Sequence, residues 1–422
     1  MAGLVALAIA YVLSQFYRSF MAVLTPSLIS ELGATKAQLS YASGAWFLAF
    51  AVAQFGIGVS LDRYGPRRTA AVLLAAGAGG GAFVFALATA PWMVTLAMAL
   101  IGVGCTPVLM ASVFIFARTY SPVRLAILIS WLVGFGSLGN VIGASPLAVA
   151  AEAFGWRPVM MGLGALTILT AAAMLAFVRD PARHGDGADN GFAGYLELFR
   201  LKVLWPILPL TAFGYAAAVG IRGLWAGPYL ADVYGADVMT IGTVTLFMAL
   251  AMVAGSFLYG PLDTLFGTRK WVAMAGNALG LAGIAALALN PLTDIATTTA
   301  LLVVIGVSGT SYGLLMAHGR AFLPPHLTGR GVTMLNFFSI GGAGVMQFAT
   351  GGVVTAAAVP GDPVPAYQAL FWFYAATLAV SLVIYLTARD ARPEKTVAAE
   401  ISASRTRSTA RPTARPTGRS TE

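Results

Sequence analysis

Long apolar segments recur along the whole chain, and they limit its possible folds more than any other feature. Many of them run for about 18 residues or more without a charge, enough to cross a bilayer core of about 30 Å as a helix. Hydrophobic residues make up 58% of the chain and charged residues 10%, against about 25% charged in soluble proteins. The sequence therefore predicts an all-α integral membrane protein, because a helix satisfies its own backbone hydrogen bonds in lipid.

The apolar segments predict twelve transmembrane helices. An interior polar segment divides them six and six, and a segment rich in Arg, Ser, Thr and Pro follows the last one. We expect an N-terminal six-helix bundle at 1–178, a cytoplasmic linker at 179–202, a C-terminal six-helix bundle at 203–388 and a disordered basic cytoplasmic tail at 389–422. The helices are expected near 4–29, 40–61, 69–89, 92–117, 125–150, 158–178, 203–231, 241–260, 271–290, 297–319, 331–355 and 366–388.

Lysine and arginine residues are concentrated in alternate loops, while the opposite loops carry only Lys36 and Arg157. Cytoplasmic loops of membrane proteins are rich in these residues, so both termini are predicted to be cytoplasmic. The expected location is a plasma membrane, of the bacterial inner-membrane type. This placement accounts for the net charge of +9 without a nucleic-acid partner. The lipid bilayer is the expected surrounding partner.

An internal repeat becomes visible when the sequence is compared with itself at a shift of 202 residues. The coinciding pairs include Pro26 and Pro228, Gly58 and Gly260, Gly65 and Gly267, Arg67 and Arg269, and Arg68 and Lys270. Prolines and loop arginines are too sparse in the chain to coincide in this number by chance. A parallel repeat of six helices predicts two bundles related by a pseudo-twofold axis along the membrane normal, with a ligand site between them near mid-membrane.

The loop between the second and third predicted helices carries a recognisable motif. Its sequence is Gly58-Val-Ser-Leu-Asp62-Arg63-Tyr64-Gly65-Pro66-Arg67-Arg68. This sequence fits the pattern G-x-x-x-D-R-x-G-x-R-R at every defined position, and it resembles the loop signature of the major facilitator superfamily of secondary transporters. The resemblance implies that superfamily's twelve-helix fold and transport activity. It also implies a gating role for the defined positions Gly58, Asp62, Arg63, Gly65, Arg67 and Arg68.

The repeat copy of this loop, from Gly260 to Lys270, follows the motif less closely. Thr264 occupies the position of the motif aspartate, and Asp263 stands one residue earlier. The resemblance therefore implies the gating role directly for the first loop, and only with a displaced aspartate for the second. The corresponding residues of the second loop are Gly260, Asp263, Gly267, Arg269 and Lys270.

Two arginines lie inside predicted helices, while all acidic residues map to loops, helix ends or the tail. Arg18 is more than ten residues from either end of its helix, and centring it in a bilayer costs at least about 2.5–3.5 kcal/mol. Water, backbone carbonyls or an anionic ligand must compensate for that cost. The position of Arg18 resembles the organophosphate and organic-anion subgroup of the superfamily, in which an arginine on the first helix of each half holds the anion.

Arg222 on the seventh helix fits that resemblance less cleanly. At the 202-residue shift Arg18 coincides with Gly220, so Arg222 is two positions late, roughly 200° around an ideal helix. We nevertheless predict Arg18 and Arg222 as anion ligands; the alternative for each is pairing with backbone carbonyls or stacking on an aromatic ring. Predicted neighbours in the substrate site are Gln15, Tyr11, Tyr17 and Trp225. Further polar candidates for a cavity wall are Gln54, Asn140, Tyr215, Asn336 and Gln347.

These features predict a secondary transporter that moves a small organic anion by rocking one bundle against the other. A carboxylate is favoured over a phosphate ester, because the resemblance implies a further lysine in or near the cavity of phosphate exchangers and the predicted helices contain none. His318 is the candidate proton site, since it alone in a predicted helix titrates near neutral pH. Three alternatives remain, namely a carrier of a neutral or aromatic metabolite or vitamin, a proton-coupled exporter of drugs or metabolites, and a transporter-like solute sensor. We expect no enzymatic activity, cofactor or metal, and a monomeric chain.

Overall fold

The computed structural model of the protein describes residues 2–181, 193–324 and 327–392. The first half contains six helical spans, which we number α1 to α6. Their bounds are α1 (Ala2–Phe16 and Met21–Leu32), α2 (Lys36–Tyr64), α3 (Pro66–Leu73, Leu74–Gly79 and Gly80–Ala86), α4 (Pro91–Thr119), α5 (Pro122–Ile142 and Ser145–Phe154) and α6 (Trp156–Phe177). A short linker helix, Ala193–Phe199, follows them.

The second half repeats this order in six further spans. Their bounds are α7 (Leu208–Gly220, Ile221–Trp225 and Ala226–Tyr234), α8 (Val238–Leu265), α9 (Arg269–Leu289), α10 (Ile295–Gly309 and Tyr312–Arg320), α11 (Thr328–Ala356) and α12 (Val364–Tyr385). Among the described residues nine helices are long and apolar enough to cross a membrane, and the bent pairs of α1 and α5 raise the number to eleven. The one remaining predicted span, the seventh along the chain, corresponds to α7. It is a continuous helical run with a π-helical turn at Ile221–Trp225.

The two halves end their corresponding helices in the same way. Gly33 after α1 and Gly235 after α7 both adopt left-handed backbone angles, with φ of 60° and 63°. Thr35 at the start of α2 and Asp237 at the start of α8 each accept a hydrogen bond from a backbone N–H group of the first helical turn. The sequence repeat at a shift of 202 residues is thus matched by a repeat of local conformation.

Several spans that the sequence predicts as single helices are interrupted. The two parts of α1 meet at 53° and those of α5 at 43°. In α1 the break lies at residues 17–20, where the Ser19 hydroxyl donates to the carbonyl oxygens of Gln15 and Phe16, at 3.3 Å each. A side chain that bonds these carbonyls replaces helical N–H partners and allows the bend.

Glycine residues bring the two halves into close contact. A Cβ atom on Gly227 of α7 would lie 2.1 Å from the carbonyl oxygen of Ala22 in α1. On α11, a Cβ atom at Gly351 would lie 3.1 Å from Cβ of Ser40 in α2. Small residues allow this approach between membrane helices, where packing rather than the hydrophobic effect drives association. The predicted domain boundaries stay predictions, and residues 182–192 and 393–422 of the predicted linker and tail lie outside the described residues.

Candidate functional site

A cavity of about 450 Å³ lies between the two halves. It is lined by α1, α2, α4 and α5 from the first half and by α7, α8, α10 and α11 from the second. The polar side chains in its wall are Tyr11, Ser14, Gln15, Arg18, Ser137, Asn140, Tyr215, Ser256, Tyr259, Asp263, Thr310, Tyr312 and Asn336. The position matches the central site that a two-bundle transporter of this topology uses.

The cavity extends toward the face of the protein that carries the arginine-rich loops, which we call the basic face. Arg18 lies at its inner end, beside the break in α1, and Gly260 and Asp263 line it near the end of α8. Residues of α5 and α8 that face each other, such as Ser137 and Met252, form part of its wall. A solute therefore has a route to Arg18 from the basic face.

Contacts between the halves close the opposite face. The hydroxyl of Ser40 on α2 donates to the backbone carbonyl of Gln347 on α11. The same Ser40 hydroxyl lies 3.3 Å from the hydroxyl of Thr350 on α11, which accepts a hydrogen bond at 3.0 Å from the indole Nε1 of Trp225 on α7 of the same half. Farther out, Lys36 forms a salt bridge with Asp232 across the interface. Tyr367 donates to the same carboxylate. The structure is therefore open toward the basic face and closed on the other.

We expect Lys36→Ala to weaken this closure modestly. The two charges of its salt bridge are about 30% exposed, and a pair at such a site contributes up to about 1 kcal/mol, which corresponds to a two- to fivefold shift in an equilibrium. The measurement is the rate at which an impermeant maleimide, added on the closed face, labels Cys105 in the cavity wall. Arg157→Ala is the matched control, because Arg157 pairs with Glu31 on the same face but within the first half. Equal labelling in both variants would contradict the expectation.

Arg18 points into the cavity without a carboxylate partner in the described structure. Its Nη1 group donates to the hydroxyl of Tyr215 at 3.4 Å. The guanidinium carbon lies 5.3 Å from the ring centroid of Trp46 and 5.7 Å from that of Phe50. Its buried Nε group makes no hydrogen bond in the described part of the chain. Aromatic stacking thus holds the arginine in place while leaving part of its donor capacity unused.

The side chains around Arg18 are polar and neutral. Gln15 donates from Nε2 to the hydroxyl of Tyr11 at 3.2 Å, and its buried Oε1 atom has no partner within the described residues. The ring of Tyr215 lies 5.6 Å from that of Tyr312, centroid to centroid. These groups supply hydroxyl and amide hydrogen bonds without a competing negative charge. Gln15 and Tyr11 therefore line the cavity together with Arg18. Their predicted contact with substrate stays a prediction.

Arg222 lies behind the cavity wall and does not line the cavity directly. It is 2% exposed and belongs to the π-helical turn of α7. Its Nη2 group donates to Oδ1 of Asn140 at 2.7 Å, and Asn140 in turn lines the cavity. The register difference seen in the sequence is thus accompanied by a wider helical turn, a feature that occurs frequently at functional sites. Asn140 thus lies between Arg222 and the cavity in this structure. The direct contact with substrate that the sequence predicts for Arg222 stays a prediction.

Three other predicted residues lie away from the cavity. Tyr17 is fully buried, and its hydroxyl pairs with the Thr167 hydroxyl of α6 at 2.9 Å. Trp225 is fully buried in the closed interface described above. His318 is buried at the end of α10, with Nδ1 2.6 Å from the Tyr385 hydroxyl and Nε2 2.8 Å from the Arg389 carbonyl oxygen. Successive side chains leave a helix in different directions, and those of Tyr17, Trp225 and His318 leave their helices on sides that do not face the cavity.

Some residues of the site carry no clear signal in the sequence. Tyr312 begins the second part of α10, and its hydroxyl donates to Oδ1 of Asn336 at 2.5 Å. Asn336, which the sequence already marked as a candidate for the cavity wall, donates to Oε1 of Gln54 at 2.6 Å and links α11 to α2. Cys105 lines the cavity from α4. The one available hint for Tyr312 was the preceding Ser-Gly-Thr-Ser run, whose small residues weaken a helix.

The motif loop of the first half joins α2 to α3. Gly65 has φ of 87°, and the N–H group of Arg67 donates to Asp180 at 2.8 Å. Arg63 lies over the ring of Tyr64, and Arg68 is exposed. A Cβ atom on Gly58 would meet nothing within 4 Å. The side chain of Asp62 lies outside the described residues, so the gating role of this loop stays a prediction.

The loop of the second half uses corresponding contacts. Gly267 has φ of 62°, and Arg269 pairs through Nε with Asp263 at 3.1 Å. Asp390 accepts hydrogen bonds from the Thr268 hydroxyl at 2.6 Å and from the Lys270 N–H group at 3.0 Å. Partial burial acts to raise the pKa of the Asp390 carboxyl, but these hydrogen bonds hold it below its usual value. A carboxylate after the last helix of each half thus caps the third helix of that half.

Comparisons with known proteins agree with this architecture. The family model of the Major Facilitator Superfamily matches residues 7–226 and 210–416. A curated relative, the probable sulfoacetate transporter SauU of Cupriavidus necator, is 22% identical over 294 residues, which cover 65% of this chain and 67% of that protein.

Solved structures show the same fold. A bacterial homologue of the human lysosomal transporter Spinster, crystallised in an inward-facing and occupied conformation, matches with a TM-score of 0.67 and 19% identity, over 91% of this chain and 96% of its own. The nucleoside transporter NupG matches with a TM-score of 0.73 and 15% identity, over 92% of this chain and 98% of its own. At these identities the structures support the fold alone.

Proposed function

Since the chain belongs to the Major Facilitator Superfamily of secondary transporters and is not an enzyme, we propose that it carries a small organic anion, with a carboxylate favoured over a phosphate ester. The anion binds at Arg18 in the central cavity, and the two halves rock to expose it to either side. The observation that carries the proposal is the guanidinium of Arg18, which lines the cavity with an Nε group that has no hydrogen-bond partner among the described residues.

The charge balance of the cavity supports an anionic substrate. Among the described residues that line it, Asp263 is the one acidic side chain, and that carboxylate already pairs with Arg269 at the basic-face end. Arg18 therefore contributes an uncompensated positive charge in a site of low dielectric constant. A buried charge of this kind is costly until an opposite charge and hydrogen bonds compensate it. An organic anion supplies both, because guanidinium groups match carboxylate oxygens in pairs.

The curated relative points in the same direction. Its name assigns it, as probable, to the transport of sulfoacetate, an organic anion. At 22% identity the relative supports the chemical class of substrate for this chain rather than the particular compound.

Coupling by anion exchange or uniport is favoured in this proposal over proton symport. Both ring nitrogens of His318 lie within hydrogen-bond distance of partners, and the side chain is outside the described cavity lining. Asp263 is held by Arg269. We further propose that the basic face is cytoplasmic, because loops rich in Lys and Arg remain on that side of a membrane.

The test is uptake of labelled solutes into proteoliposomes with and without an internal counter-solute. We expect organic carboxylates and sulfonates to be taken up, and uptake to rise when the same anion is preloaded inside. Sugars and nucleosides of similar size are the neutral controls. Uptake of a neutral solute but of none of the anions would overturn the proposal.

Alkylation of Cys105 gives a second, independent readout of binding. This is the single cysteine of the chain, and it lines the cavity near Ser14 and Arg18. Its side chain is 2% exposed, so we expect slow labelling by N-ethylmaleimide. A transported anion should slow the labelling further, to about one tenth when its concentration is ten times its Kd. A neutral solute should leave the rate unchanged; protection by the neutral solute alone would contradict an anion site.

A further inference from the structure

One neutral side chain, that of Asn140, lies between the charged group of Arg222 and the cavity. Arg222 belongs to the second half, and the side chain that accepts its hydrogen bond, Asn140, belongs to α5 of the first half. The Nε group of Arg222 is buried and makes no hydrogen bond to any described residue. Arg222 also lies within electrostatic range of Arg18 and Tyr215. Two like charges are thus placed near the inner end of the cavity, one in its wall and one behind Asn140.

The chemistry of the asparagine amide fixes which end faces Arg222. A guanidinium has only hydrogen-bond donors, so it can pair with the amide oxygen and not with the amide nitrogen. The 2.7 Å bond to Oδ1 therefore determines the orientation of the side chain. What remains for a ligand is mainly the NH₂ group of Asn140, a donor whose polarity the nearby guanidinium increases. A donor of this kind matches an anion, which offers only acceptors.

Helix packing holds Asn140 beside Arg18. Its neighbour Gly139 packs against α1, where an added Cβ atom would lie 2.0 Å from the carbonyl oxygen of Val12 and 3.0 Å from Cβ of Gln15. One turn further on, a Cβ atom on Gly143 would lie 3.1 Å from the hydroxyl oxygen of Ser19. The Asn140 position is thus set against the same turns of α1 that carry Gln15 and Arg18.

We propose that Asn140 is a substrate-binding residue that donates an amide hydrogen bond to the anion, and that Arg222 is a positioning residue that acts on the anion through Asn140. The inference rests on the proposed function and adds a second anchor to Arg18. It assigns Arg222 an indirect role, in which its charge polarises and orients the asparagine of the opposite half. Anion binding at Asn140 then ties both halves together through one chain of hydrogen bonds.

A double-mutant cycle on KM for the transported anion tests this indirect role. We expect Asn140→Ala and Arg222→Gln each to raise KM by about tenfold or more, because each removes a hydrogen bond involving a charge. The double variant should be no worse than Asn140→Ala alone, because Arg222 acts on the anion only through Asn140. Multiplicative effects would show that the two residues act independently, and an unchanged KM in Asn140→Ala would show that it does not bind. Either result overturns the inference.

Asn140→Asp separates a binding role from a structural one. The carboxylate is nearly isosteric and forms an ion pair with Arg222, so thermal stability should stay equal or rise. At the same time the donor is lost and a negative charge faces the cavity, so the KM for the anion should rise by about tenfold or more. A fall in stability together with an unchanged KM would mean that Asn140 only supports the fold.

Asn277→Ala is the matched control for the loss of a buried asparagine. Its amide nitrogen donates to the Ala273 carbonyl and the Ser311 hydroxyl inside the second half, both at 2.8 Å, and it lies outside the described cavity lining. We expect its KM to equal that of the wild type at equal reconstitution. If the wild type carries an anion and the Asn140 variants transport it with the KM of the wild type, this inference fails and the proposed function stands. If the wild type carries no anion, both fail.

Discussion

Replacement of Arg18 by glutamine is expected to abolish anion transport at substrate concentrations that saturate the wild type. The variant keeps a polar side chain of similar reach but removes the one positive charge in the described cavity wall. Removing one partner of a buried charge pair costs enough to lower affinity by about a hundredfold or more. The measurement is the initial rate of labelled anion uptake into proteoliposomes over a range of concentrations, with reconstituted protein quantified in each sample.

Arg18→Lys serves as the charge-preserving control. Lysine keeps the positive charge but cannot donate two parallel hydrogen bonds or stack a planar group over Trp46 and Phe50. We expect weak but measurable anion uptake, between the rates of the wild type and of Arg18→Gln. Thermal unfolding of the purified protein in detergent distinguishes lost binding from lost fold. Undiminished uptake in a folded Arg18→Gln protein would mean that the stacked arginine is structural and that the anion binds elsewhere.

A disulfide across the closed face is expected to stop transport completely and reversibly. A Cβ atom on Gly351 lies 3.1 Å from Cβ of Ser40, and disulfides span about 3.5–4.5 Å between these atoms, so a shift of a few tenths of an ångström suffices. In the Ser40→Cys, Gly351→Cys variant the bond would join α2 to α11 and hold the halves together. A transporter that must separate them on this face then stays open only toward the basic face. Uptake with and without dithiothreitol measures the effect.

The single variants Ser40→Cys and Gly351→Cys are the controls for this experiment. Each carries one of the two substitutions together with Cys105, so neither can form the designed bond, and oxidation should leave their uptake unchanged. The oxidised double variant should still admit a maleimide to Cys105 from the basic face, because the cavity opens there. Full transport by a protein with the bond formed would show that this interface does not separate during the cycle.

The transmembrane fold could be predicted from the sequence because its causes are local and repetitive. Each apolar segment must satisfy its backbone hydrogen bonds within itself, so a helix was the only form open to it outside a barrel. The repeat at a shift of 202 residues predicted two similar halves, and the structure repeats the conformations of Gly33 and Gly235. The family comparison confirms the superfamily that the first motif loop indicated.

The candidate site could be predicted only in part. Arg18 was identifiable because a charge far from both ends of an apolar helix stands out against its neighbours, and Gln15 and Tyr11 follow from the helical spacing. Tyr17 was predicted beside Arg18, but neighbouring residues on a helix point to different sides, and its hydroxyl meets Thr167 instead of the cavity. The break at residues 17–20 was not predicted either. A break of this kind depends on side-chain bonds such as those of Ser19, which a hydropathy pattern does not record.

The sequence by itself determined the helical spans, the repeat, the excess of basic residues in alternate loops and the isolated charge of Arg18. Only the tertiary structure decided that Arg222 meets Asn140 behind the cavity wall, that Trp225 and Lys36 belong to a closed interface, and that His318 is buried away from the cavity. The physical reason is that spans and charges are properties of single segments. Contacts between halves depend on helix bends, a π-helical turn and close packing, which join residues far apart in the chain.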